Sequence, residues 1–366
     1  MKRIYFFTNY FPLYRKAIWN LLINESKYDF HIFYSKEERQ GIKQHQTIEA
    51  KKLHVIKNIF FRKYLIWQSG VLKKILFNPP DVVIFIGELN VLSTWIGVII
   101  CRLRSKKIWF WGHGVYGNEG YLKKIIRLFF LSLADKNLVY EKRAKNLLIQ
   151  YGFNPSKIEV LYNSLDYSTQ KKYFNKYINF PRDVKIFNNK YPIILFFGRL
   201  TFNKKINLLL ESVKSIQETI QVNLLIIGEG EAKNSLKKQS RNLSLKNTKF
   251  YGSLYDEEKI AKIFLASKLC VSPGNVGLNA IHSISYGTPI VTHNNFNNQM
   301  PEVESLKEGE SGYFFNENDI SSLIKAIKKG LMNRKNRSKI RSIIDLKYNP
   351  YYQKKIFDRL ILKNPH

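Results

Sequence analysis

Residues 193–212 read IILFFGRLTFNKKINLLLES, and the order of residue types along them predicts one structural unit. The apolar run at 193–197 predicts a buried strand. A glycine and an arginine follow it, and the apolar spacing over 206–218 predicts a helix. A strand, a glycine-bearing loop and a helix in this order are typical of an α/β fold with a parallel sheet.

The same unit repeats along the chain in two groups. Further strands are predicted over residues 4–8, 30–34, 81–86, 107–111, 136–139, 158–162, 222–227, 248–251, 269–272 and 289–292. Helical patterns lie between them. From about residue 168 to 191 the periodicity breaks, and Lys, Asn and Tyr accumulate. We therefore predict a linker there, joining two Rossmann-like domains.

The length also favours two domains, because a single core stops growing at about 250 to 300 residues and this chain has 366. The predicted N-terminal domain covers residues 1–175 and the C-terminal domain residues 190–345. Residues 346–366 contain a predicted helix at 350–362, which we expect to pack back toward the N-terminal domain.

The chain carries 60 Lys and Arg against 28 Asp and Glu, a formal charge of +32, and 45% of its residues are hydrophobic. This apolar content excludes a disordered, collagen-like or disulfide-scaffold protein. Cys101 and Cys270 lie in apolar runs, which predicts buried thiols in a reducing compartment, the cytoplasm. We expect no signal peptide and no transmembrane helix, because the apolar runs are too short or are interrupted by polar residues.

The positive charge predicts an anionic partner without naming it. The sequence has no zinc-finger spacing and no RNP signature, so nucleic acid is the less favoured partner. Residues 121–133, YLKKIIRLFFLSL, place Lys123, Lys124 and Arg127 among apolar residues, a composition that fits a helix at an anionic membrane surface. The alternative is a core helix with a solvated basic edge.

Ligands of open parallel sheets bind beyond the carboxyl ends of the strands, so the residues just after each strand are candidates. Gly198 and Arg199 follow the strand at 193–197, with Lys204 about one turn further on. A guanidinium grips phosphate oxygens in a fork and an ammonium adds a point charge, so this pair predicts a diphosphate site. Two solvated cations beside a turn are the alternative.

A second candidate is the segment SPGNVGLNAIHSISYGTP, residues 272–289. Its loop contains Asn275 and Gly277, and a helix beginning near Leu278 would present backbone N–H groups to a phosphate. An ordinary turn between strand and helix is the alternative. His282 lies one turn into this helix, where it could be a ligand or could contact a local partner.

Two other loops at strand ends are candidates. His113 stands between two glycines after the strand at 107–111, so its ring could bond to a sugar hydroxyl or exchange a proton. A loop histidine with an internal partner is the alternative. Gly228, after the strand at 222–227, is a weaker candidate. The sequence contains no serine-hydrolase elbow, metal-ligand cluster or Walker A motif.

Together these segments resemble the retaining, nucleotide-sugar-dependent glycosyltransferases of family four, which have the GT-B fold. The similar segments of the second half are FFGRLTFNKKINLLLES, LLIIGEGE, KFYGSL, GLNAIHSISYGTPIV and ESLKEGESGYFF. In the first half, FWGHG is similar to the strand-end histidine motif and NYFPLYR to the acceptor-side loop. The resemblance covers most of the chain. It implies two Rossmann-like domains facing each other across a cleft.

The resemblance also implies roles for single residues. Arg199 and Lys204 would hold the donor diphosphate and His113 would touch the transferred sugar, so these three are the expected catalytic residues. The expected donor-binding residues also include Gly198, Gly228, Asn275, Gly277, Leu278, Asn279, His282 and Glu304. Tyr14 and Arg15 are expected on the acceptor side. No metal or cofactor is implied, because the UDP-sugar or GDP-sugar is a co-substrate.

The sequence departs from this family at two glutamates that lie eight residues apart. Gly274 and His282 occupy their positions. His282 could accept a hydrogen bond from the nucleotide ribose through an unprotonated ring nitrogen. Gly274 leaves the contact with the donor sugar to Asn275, to a backbone group or to nothing.

The resemblance thus implies a metal-independent enzyme that moves a hexose, with retention, from a nucleotide diphosphate sugar to a hydroxyl of a surface glycan. We expect the acceptor to be a glycan linked to a lipid such as polyprenyl pyrophosphate, in polysaccharide or lipopolysaccharide biosynthesis. The expected location is cytoplasmic, peripheral on the inner face of the plasma membrane, at an anionic surface. The alternatives are an inactive homologue that binds a glycan or a partner enzyme, a GT-B epimerase or phosphorylase of sugars, and a nucleic-acid-binding protein.

Overall fold

The computed structural model of the chain describes residues 1–36, 51–61, 64–179, 186–333 and 336–362. The chain forms two compact units. Unit 1 consists of Met1–Asp166 and Pro350–His366, and unit 2 consists of Tyr167–Asn349. Each is an α/β unit built on a parallel sheet, as the two Rossmann-like domains of the predicted GT-B fold require.

In the described residues, the main sheet of unit 1 has seven parallel strands. In spatial order they are β3 (Leu53–Val55), β2 (Asp29–Tyr34), β1 (Arg3–Phe7), β6 (Val82–Ile86), β7 (Lys107–Gly112), β8 (Lys136–Val139) and β9 (Ile158–Val160). An antiparallel hairpin forms a separate sheet from β4 (Asn58–Phe61) and β5 (Leu65–Gln68). The helices of this unit are α1 (Lys16–Ile23), α2 (Val71–Phe77), α3 (Leu92–Leu103), α4 (Tyr121–Ser132), α5 (Lys142–Gln150) and α13 (Pro350–Leu362).

Strand β1 lies at the centre of this unit and is covered on both faces. Ile4 and Phe6 pack into a core with α1 and α13. Tyr5 and Phe7 point to the opposite face and pack into a core with α3 and α4. A parallel strand buried on both sides reads as a continuous apolar run, which explains why the sequence predicts it.

Helix α13 is held in unit 1 by aromatic and charged contacts. The ring centroid of Phe357 lies 5.3 Å from that of Trp111. Lys354 forms ion pairs with Glu25 and, at 2.7 Å, with Asp358. Helix α13 therefore completes the unit that contains β1.

In the described residues, the sheet of unit 2 has six parallel strands. In spatial order they are β12 (Thr248–Gly252), β11 (Asn223–Ile227), β10 (Ile193–Phe197), β13 (Ser267–Ser272), β14 (Ile290–His293) and β15 (Gly312–Phe315). The helices are α6 (Tyr167–Tyr177), α7 (Ile206–Gln217), α8 (Lys233–Asn242), α9 (Glu257–Ala266), α10 (Asn279–Ser285), α11 (Ile320–Met332) and α12 (Arg337–Leu346). This strand order is that of a Rossmann fold, in which ligands bind where the order reverses, next to β10 and β13.

The predicted linker is wrong in its first part. Residues Tyr167–Tyr177 form α6, the first helix of unit 2, so unit 1 reaches Asp166 rather than residue 175. Gln170 of α6 donates a hydrogen bond to Glu257 of α9 at 3.2 Å. Such polar contacts leave no apolar periodicity in the sequence, which explains the error. Residues 180–185 of the predicted linker lie outside the described residues.

The boundary at the other end of unit 2 also differs. The C-terminal domain is predicted to end at residue 345, but α12 and the residues up to Asn349 lie in unit 2. Arg341 of α12 explains this, because its guanidinium donates to the backbone oxygen of Ser285 and lies 5.0 Å from the ring centroid of Phe174. Both cysteines are buried, as predicted. No helix in the described part of the chain is both long enough and apolar enough to cross a membrane.

Candidate functional site

Three loops at the carboxyl edge of the unit 2 sheet are in direct contact. The N–H of Leu200, after β10, donates to the backbone oxygen of Glu229, after β11, at 2.8 Å. A Cβ atom on Gly228 would lie 1.8 Å from the backbone oxygen of Gly198. The residue at 228 must therefore be glycine, and its positive φ of 149° favours glycine as well. The third loop, after β13, is joined to the first through Lys204.

Lys204 is the best-defined cation of this edge. Its Nζ atom donates to the backbone oxygen and to Oδ1 of Asn275, both at 2.6 Å. Burial, with a smaller contribution from the charge of Arg199, lowers the pKa of Lys204 to about 8, and the carboxylate of Glu302 opposes this shift. Lys204 is thus still mainly protonated at neutral pH, and the structure brings the predicted residues Arg199, Lys204 and Asn275 together.

Gly274 has a structural reason to be glycine. Its N–H donates to the backbone oxygen of Lys204 at 3.0 Å. A Cβ atom at this position would lie 2.1 Å from the backbone oxygen of Asn203. The turn that carries Lys204 therefore occupies the space in which a glutamate would begin. Asn275, the other candidate for the lost role, uses its side chain to hold Lys204.

The segment before α10 is bonded to its surroundings. The backbone N–H of Val276 donates to the side chain of Gln299 at 2.8 Å. The helix begins at Asn279, one residue later than predicted, with Leu278 as its N-cap. The side chain of Asn279 donates to Sγ of Cys270 at 3.4 Å. Gly277, which has a φ of +55°, and Leu278 are therefore left to offer backbone groups, whereas the Asn279 side chain is directed into the protein.

His282 contacts a carboxylate that the sequence analysis did not single out. Its Nε2 atom lies 2.9 Å from Oε1 of Glu257, and the hydroxyl of Tyr286 donates to the same oxygen at 2.6 Å. Burial favours a raised pKa for Glu257, but the charge and hydrogen bond of His282 and the bonds from Tyr286 and Gln170 outweigh it and lower the pKa to about 2. The Nε2 atom is therefore engaged inside unit 2, where a ribose hydroxyl would have to compete with Glu257 for it.

Glu304 lies half-buried in the short helical turn Pro301–Ser305. Its neighbour Glu302 is only 3% exposed, and it is Glu302 whose charge acts on Lys204. No sequence motif shows which of Glu302 and Glu304 acts on Lys204, because both follow Pro301 in a polar stretch without a distinctive pattern.

Unit 1 contains a pocket of about 270 Å³ at the carboxyl edge of its sheet. Its lining comes from the loops after β1, β6 and β7, from α4 and from the end of β8. The residues are Thr8, Tyr10, Pro12, Tyr14, Arg15, Ile86, Gly87, Glu88, Leu89, Asn90, Gly112, His113, Tyr116, Lys123, Arg127 and Tyr140. Three residues predicted from the sequence, Tyr14, Arg15 and His113, thus line one pocket.

His113 is held neutral in this pocket. Its ring stacks on Tyr116, with centroids 5.3 Å apart, and meets Tyr140 edge-on at 5.1 Å. Burial, together with the charges of Arg15 and Arg127, lowers the pKa of His113 to about 4. Its Nδ1 atom is buried without a hydrogen-bond partner. A neutral imidazole can donate a hydrogen bond at one nitrogen and accept one at the other, which suits a sugar hydroxyl.

Glu88 is a pocket residue that the sequence analysis missed. The side chain of Asn9 donates to its Oε2 at 2.9 Å, and burial raises the pKa of Glu88 against the opposing influence of Asn9, Arg15 and Arg127. Glu88 follows the end of β6 by two residues. The rule that pointed to His113 after β7, applied to β6, would have found it.

Helix α4 differs from the core helix with a solvated basic edge that one of the two sequence interpretations predicts. Arg127 is 8% exposed and forms an ion pair with Glu119, whereas Leu122 and Phe129 are 70% and 60% exposed. Neighbouring α3 adds Ile99 and Leu103, which are 59% and 82% exposed. The helix therefore buries an arginine and exposes apolar residues, so it is not a core helix with a solvated basic edge.

Comparison with known protein families finds a match in the second half of the chain. Residues 179–344 match the family model Glycosyl transferases group 1. The matched segment contains β10 to β15 and every donor-side residue described above.

Two curated relatives agree with this match. An uncharacterized glycosyltransferase of Methanocaldococcus jannaschii, MJ1607, is 26% identical over 141 residues, 37% of this chain and 36% of that protein. The alpha-monoglucosyldiacylglycerol synthase of Streptococcus pneumoniae is 23% identical over 137 residues, 36% of this chain and 30% of that protein. The chain thus spans about a third of the length of the relatives it matches.

Solved structures show the same fold over the whole chain. The lipopolysaccharide outer core galactosyltransferase WaaB is 16% identical with a TM-score of 0.73, covering 99% of this chain and all of that one. Anabaena HepE in complex with UDP-glucose is 16% identical with a TM-score of 0.66 and full coverage of both chains. The UDP-GlcNAc 2-epimerase of Methanocaldococcus jannaschii is 16% identical with a TM-score of 0.63, covering 99% of each chain.

Proposed function

We propose that the chain is a retaining, metal-independent glycosyltransferase that moves a hexose from a nucleotide diphosphate sugar to a hydroxyl of a lipid-linked glycan. The observation that carries the proposal is the fixed ammonium of Lys204 beside Arg199, at the strand-order reversal of a group 1 glycosyltransferase segment. The role in polysaccharide or lipopolysaccharide synthesis draws support from the function in the name of the WaaB structure. Retention is inferred from the motif resemblance.

The donor chemistry follows from charge. When the sugar leaves, negative charge develops on the oxygen of the nucleotide diphosphate. Lys204 is held by Asn275 before any donor binds, so its charge requires little reorganisation when it stabilises that oxygen. Arg199 adds a guanidinium that can grip two phosphate oxygens. These two cations supply the charge that a divalent metal supplies in other transferases.

We assign the acceptor to the pocket of unit 1. Its neutral imidazole, His113, and its hydrogen-bonded carboxyl group, Glu88, are the kind of groups that bind and orient sugar hydroxyls. The low pKa of His113 keeps its ring neutral throughout the physiological range, so its bonds to a sugar would not change with pH there.

We also propose that unit 1 attaches to an anionic membrane through α3 and α4, at the inner face of the plasma membrane. Helices α3 and α4 are neighbours, since the ring centroids of Trp95 and Phe129 lie 6.3 Å apart. Their exposed apolar residues Ile99, Leu103, Leu122 and Phe129 are named here the α3–α4 face. Exposed cations border it on both helices and on the segment that follows α3. They are Lys123, Arg102, Arg104 and Lys107. Apolar side chains flanked by cations fit the boundary of an anionic bilayer.

A thermal-shift panel of UDP, GDP, CMP and their sugars tests the donor assignment. A true donor stabilises the folded chain by an amount that rises with the logarithm of its concentration over its dissociation constant. The substitution Arg199→Ala should remove that shift, whereas Lys214→Gln, at an exposed lysine on α7, should keep it. A panel without any shift, or a shift retained in Arg199→Ala, contradicts the assignment.

The second candidate is a sugar-nucleotide 2-epimerase. Two solved structures of such enzymes, one of them described as putative, share the fold with TM-scores of 0.63 and 0.61. Product analysis with a single donor and no acceptor separates the two functions. An epimerase converts the sugar while the nucleotide stays attached, whereas a transferase leaves the sugar unchanged or slowly releases the nucleotide. A chain that binds donor and does neither would be the inactive homologue.

A further inference from the structure

The pocket of unit 1 contains the guanidinium of the half-buried Arg15, whose charge acts on Glu88 but which forms no ion pair with it. Arg15 donates from Nη2 to the phenol oxygen of Tyr140, an uncharged partner. Its Nε atom is buried and has no hydrogen-bond partner among the residues that the structure describes. Within the described residues no carboxylate oxygen lies within 4 Å of this guanidinium. Arginine stays protonated at any physiological pH, so a full positive charge remains in the pocket.

The other charges of the pocket do not neutralise it. Arg127 has its own carboxylate, Glu119, in an ion pair. Lys123 lines the pocket and adds a third cation. Among the described lining residues Glu88 is the one acid, and its carboxyl group is bonded to Asn9 in surroundings whose burial disfavours its charged form. Arg15 and Lys123 thus outnumber Glu88, so the pocket carries an excess of positive charge that favours an anionic ligand.

Arg15 is also held in a fixed orientation. Its Cζ atom lies 5.1 Å from the ring centroid of Tyr140, 5.4 Å from that of Trp111 and 5.7 Å from that of Tyr14. Three rings and one hydrogen bond leave the guanidinium little freedom. A planar fork held in this way suits the oxygens of a phosphate or carboxylate, because little entropy is lost when they bind.

We propose that the pocket of unit 1 recognises an anionic acceptor, and that Arg15 binds its phosphate or carboxylate group while His113 contacts a neighbouring hydroxyl. A phosphate next to the sugar and the carboxylate of an acidic sugar both have the chemistry that Arg15 would bind, and the experiment below separates the two. The word acceptor rests on the proposed transferase function, but the binding of an anion does not.

Isothermal titration calorimetry of the full chain without nucleotide tests this with three probes of related shape: methyl glucoside, glucose 6-phosphate and glucuronate. At least one anionic probe should bind about tenfold or more tightly than the neutral glucoside. Arg15→Gln should abolish that preference. Lys16→Gln, which removes the same charge from the adjacent exposed residue, should keep it. The probe that loses affinity in Arg15→Gln identifies the anion as phosphate or carboxylate.

Two results would overturn the proposal. The first is equal affinity of the chain for all three probes. The second is a preference for the anionic probes that survives Arg15→Gln and disappears in Lys204→Gln, because that would place the anion in unit 2. If Arg15→Gln does not fold, Tyr140→Phe removes the oxygen that orients the guanidinium. It should weaken the anions several-fold and leave the glucoside unchanged, and an equal effect on all probes would refute the role of Arg15. If the chain binds a nucleotide sugar but shows no preference for the anionic probes, this inference fails and the proposed transferase function stands. If it prefers the anionic probes but binds no nucleotide, the transferase function fails and the anion site stands.

Discussion

The Nζ atom of Lys204 lies 2.6 Å from two oxygen atoms of Asn275, one in the backbone and one in the side chain. These bonds join the turn after β10 to the loop after β13, the two strands between which the strand order reverses. The ammonium is therefore fixed in place within unit 2 by the protein itself. Asn275, predicted as a donor-binding residue, acts in this structure as a positioning residue for Lys204.

The first prediction concerns Gly274, which stands where the glycosyltransferases that the sequence resembles have a glutamate. Gly274→Ala should lower the free energy of unfolding by about 2 kcal/mol, because the new Cβ would lie 2.1 Å from the backbone oxygen of Asn203 and displace the turn. Gly274→Glu should be at least as destabilising, so restoring the glutamate would reduce donor binding rather than improve it. Urea unfolding and the donor-induced thermal shift measure the two effects.

Gly120→Ala is the matched control, since no atom lies within 4 Å of a Cβ at that glycine and its φ is −58°. It should leave the free energy of unfolding within about 0.5 kcal/mol of the wild type. A Gly274→Glu variant that folds normally and binds donor more tightly would show that the turn can move aside and that the missing carboxylate is a simple loss.

Elements with a strong apolar pattern could be predicted from the sequence, and those held by polar contacts could not. The predicted bounds of β10 and α13, 193–197 and 350–362, agree with the structure, because a glycine follows the first and a proline begins the second. Helix α6 was missed because Gln170 and Phe174 are the residues it buries. The hairpin of β4 and β5 was missed because its residues alternate little in polarity and Ile59 and Phe61 are exposed.

Some residues of the candidate site could likewise be predicted from the sequence and others could not. Arg199, Lys204 and His113 follow strands directly, so a rule about strand ends finds them. Glu257 and Glu302 approach His282 and Lys204 from elements that are distant in sequence, and no spacing indicates such an approach. The packing of the Lys204 turn against Gly274 is likewise visible only in three dimensions.

The second prediction is that donor binding weakens as the pH rises through about 8. Lys204 has a lowered pKa of about 8, so it is charged below that pH and loses its charge above it. Calorimetry with the donor selected by the thermal-shift panel should show constant affinity from about pH 6 to 7 and a decline above 8. Lys204→Arg, which stays protonated, should remove the decline, and a decline of equal size in that variant would assign it to another group.

The stability of the chain without donor should change with pH in the opposite direction. The pKa of Lys204 is lower in the folded chain than the ordinary value of 10.5, so between about pH 8 and 10.5 the folded state binds fewer protons than the unfolded state. The contribution of Lys204 to the free energy of unfolding therefore rises with pH in this window. Comparing wild type with Lys204→Arg by urea unfolding at several pH values isolates that contribution, and a fall with pH would contradict the burial of the ammonium.

The third prediction concerns membrane attachment through the α3–α4 face. The chain should sediment with vesicles containing phosphatidylglycerol and much less with phosphatidylcholine alone, and high salt should release it. Leu122→Glu should weaken binding about tenfold or more, because it places a carboxylate where an apolar side chain would enter the bilayer boundary. Met332→Glu, which makes the same change at a residue of unit 2 that is 72% exposed, should bind as the wild type does. Sedimentation that does not respond to salt, or equal losses in the two variants, would mean that this face is not the attachment surface.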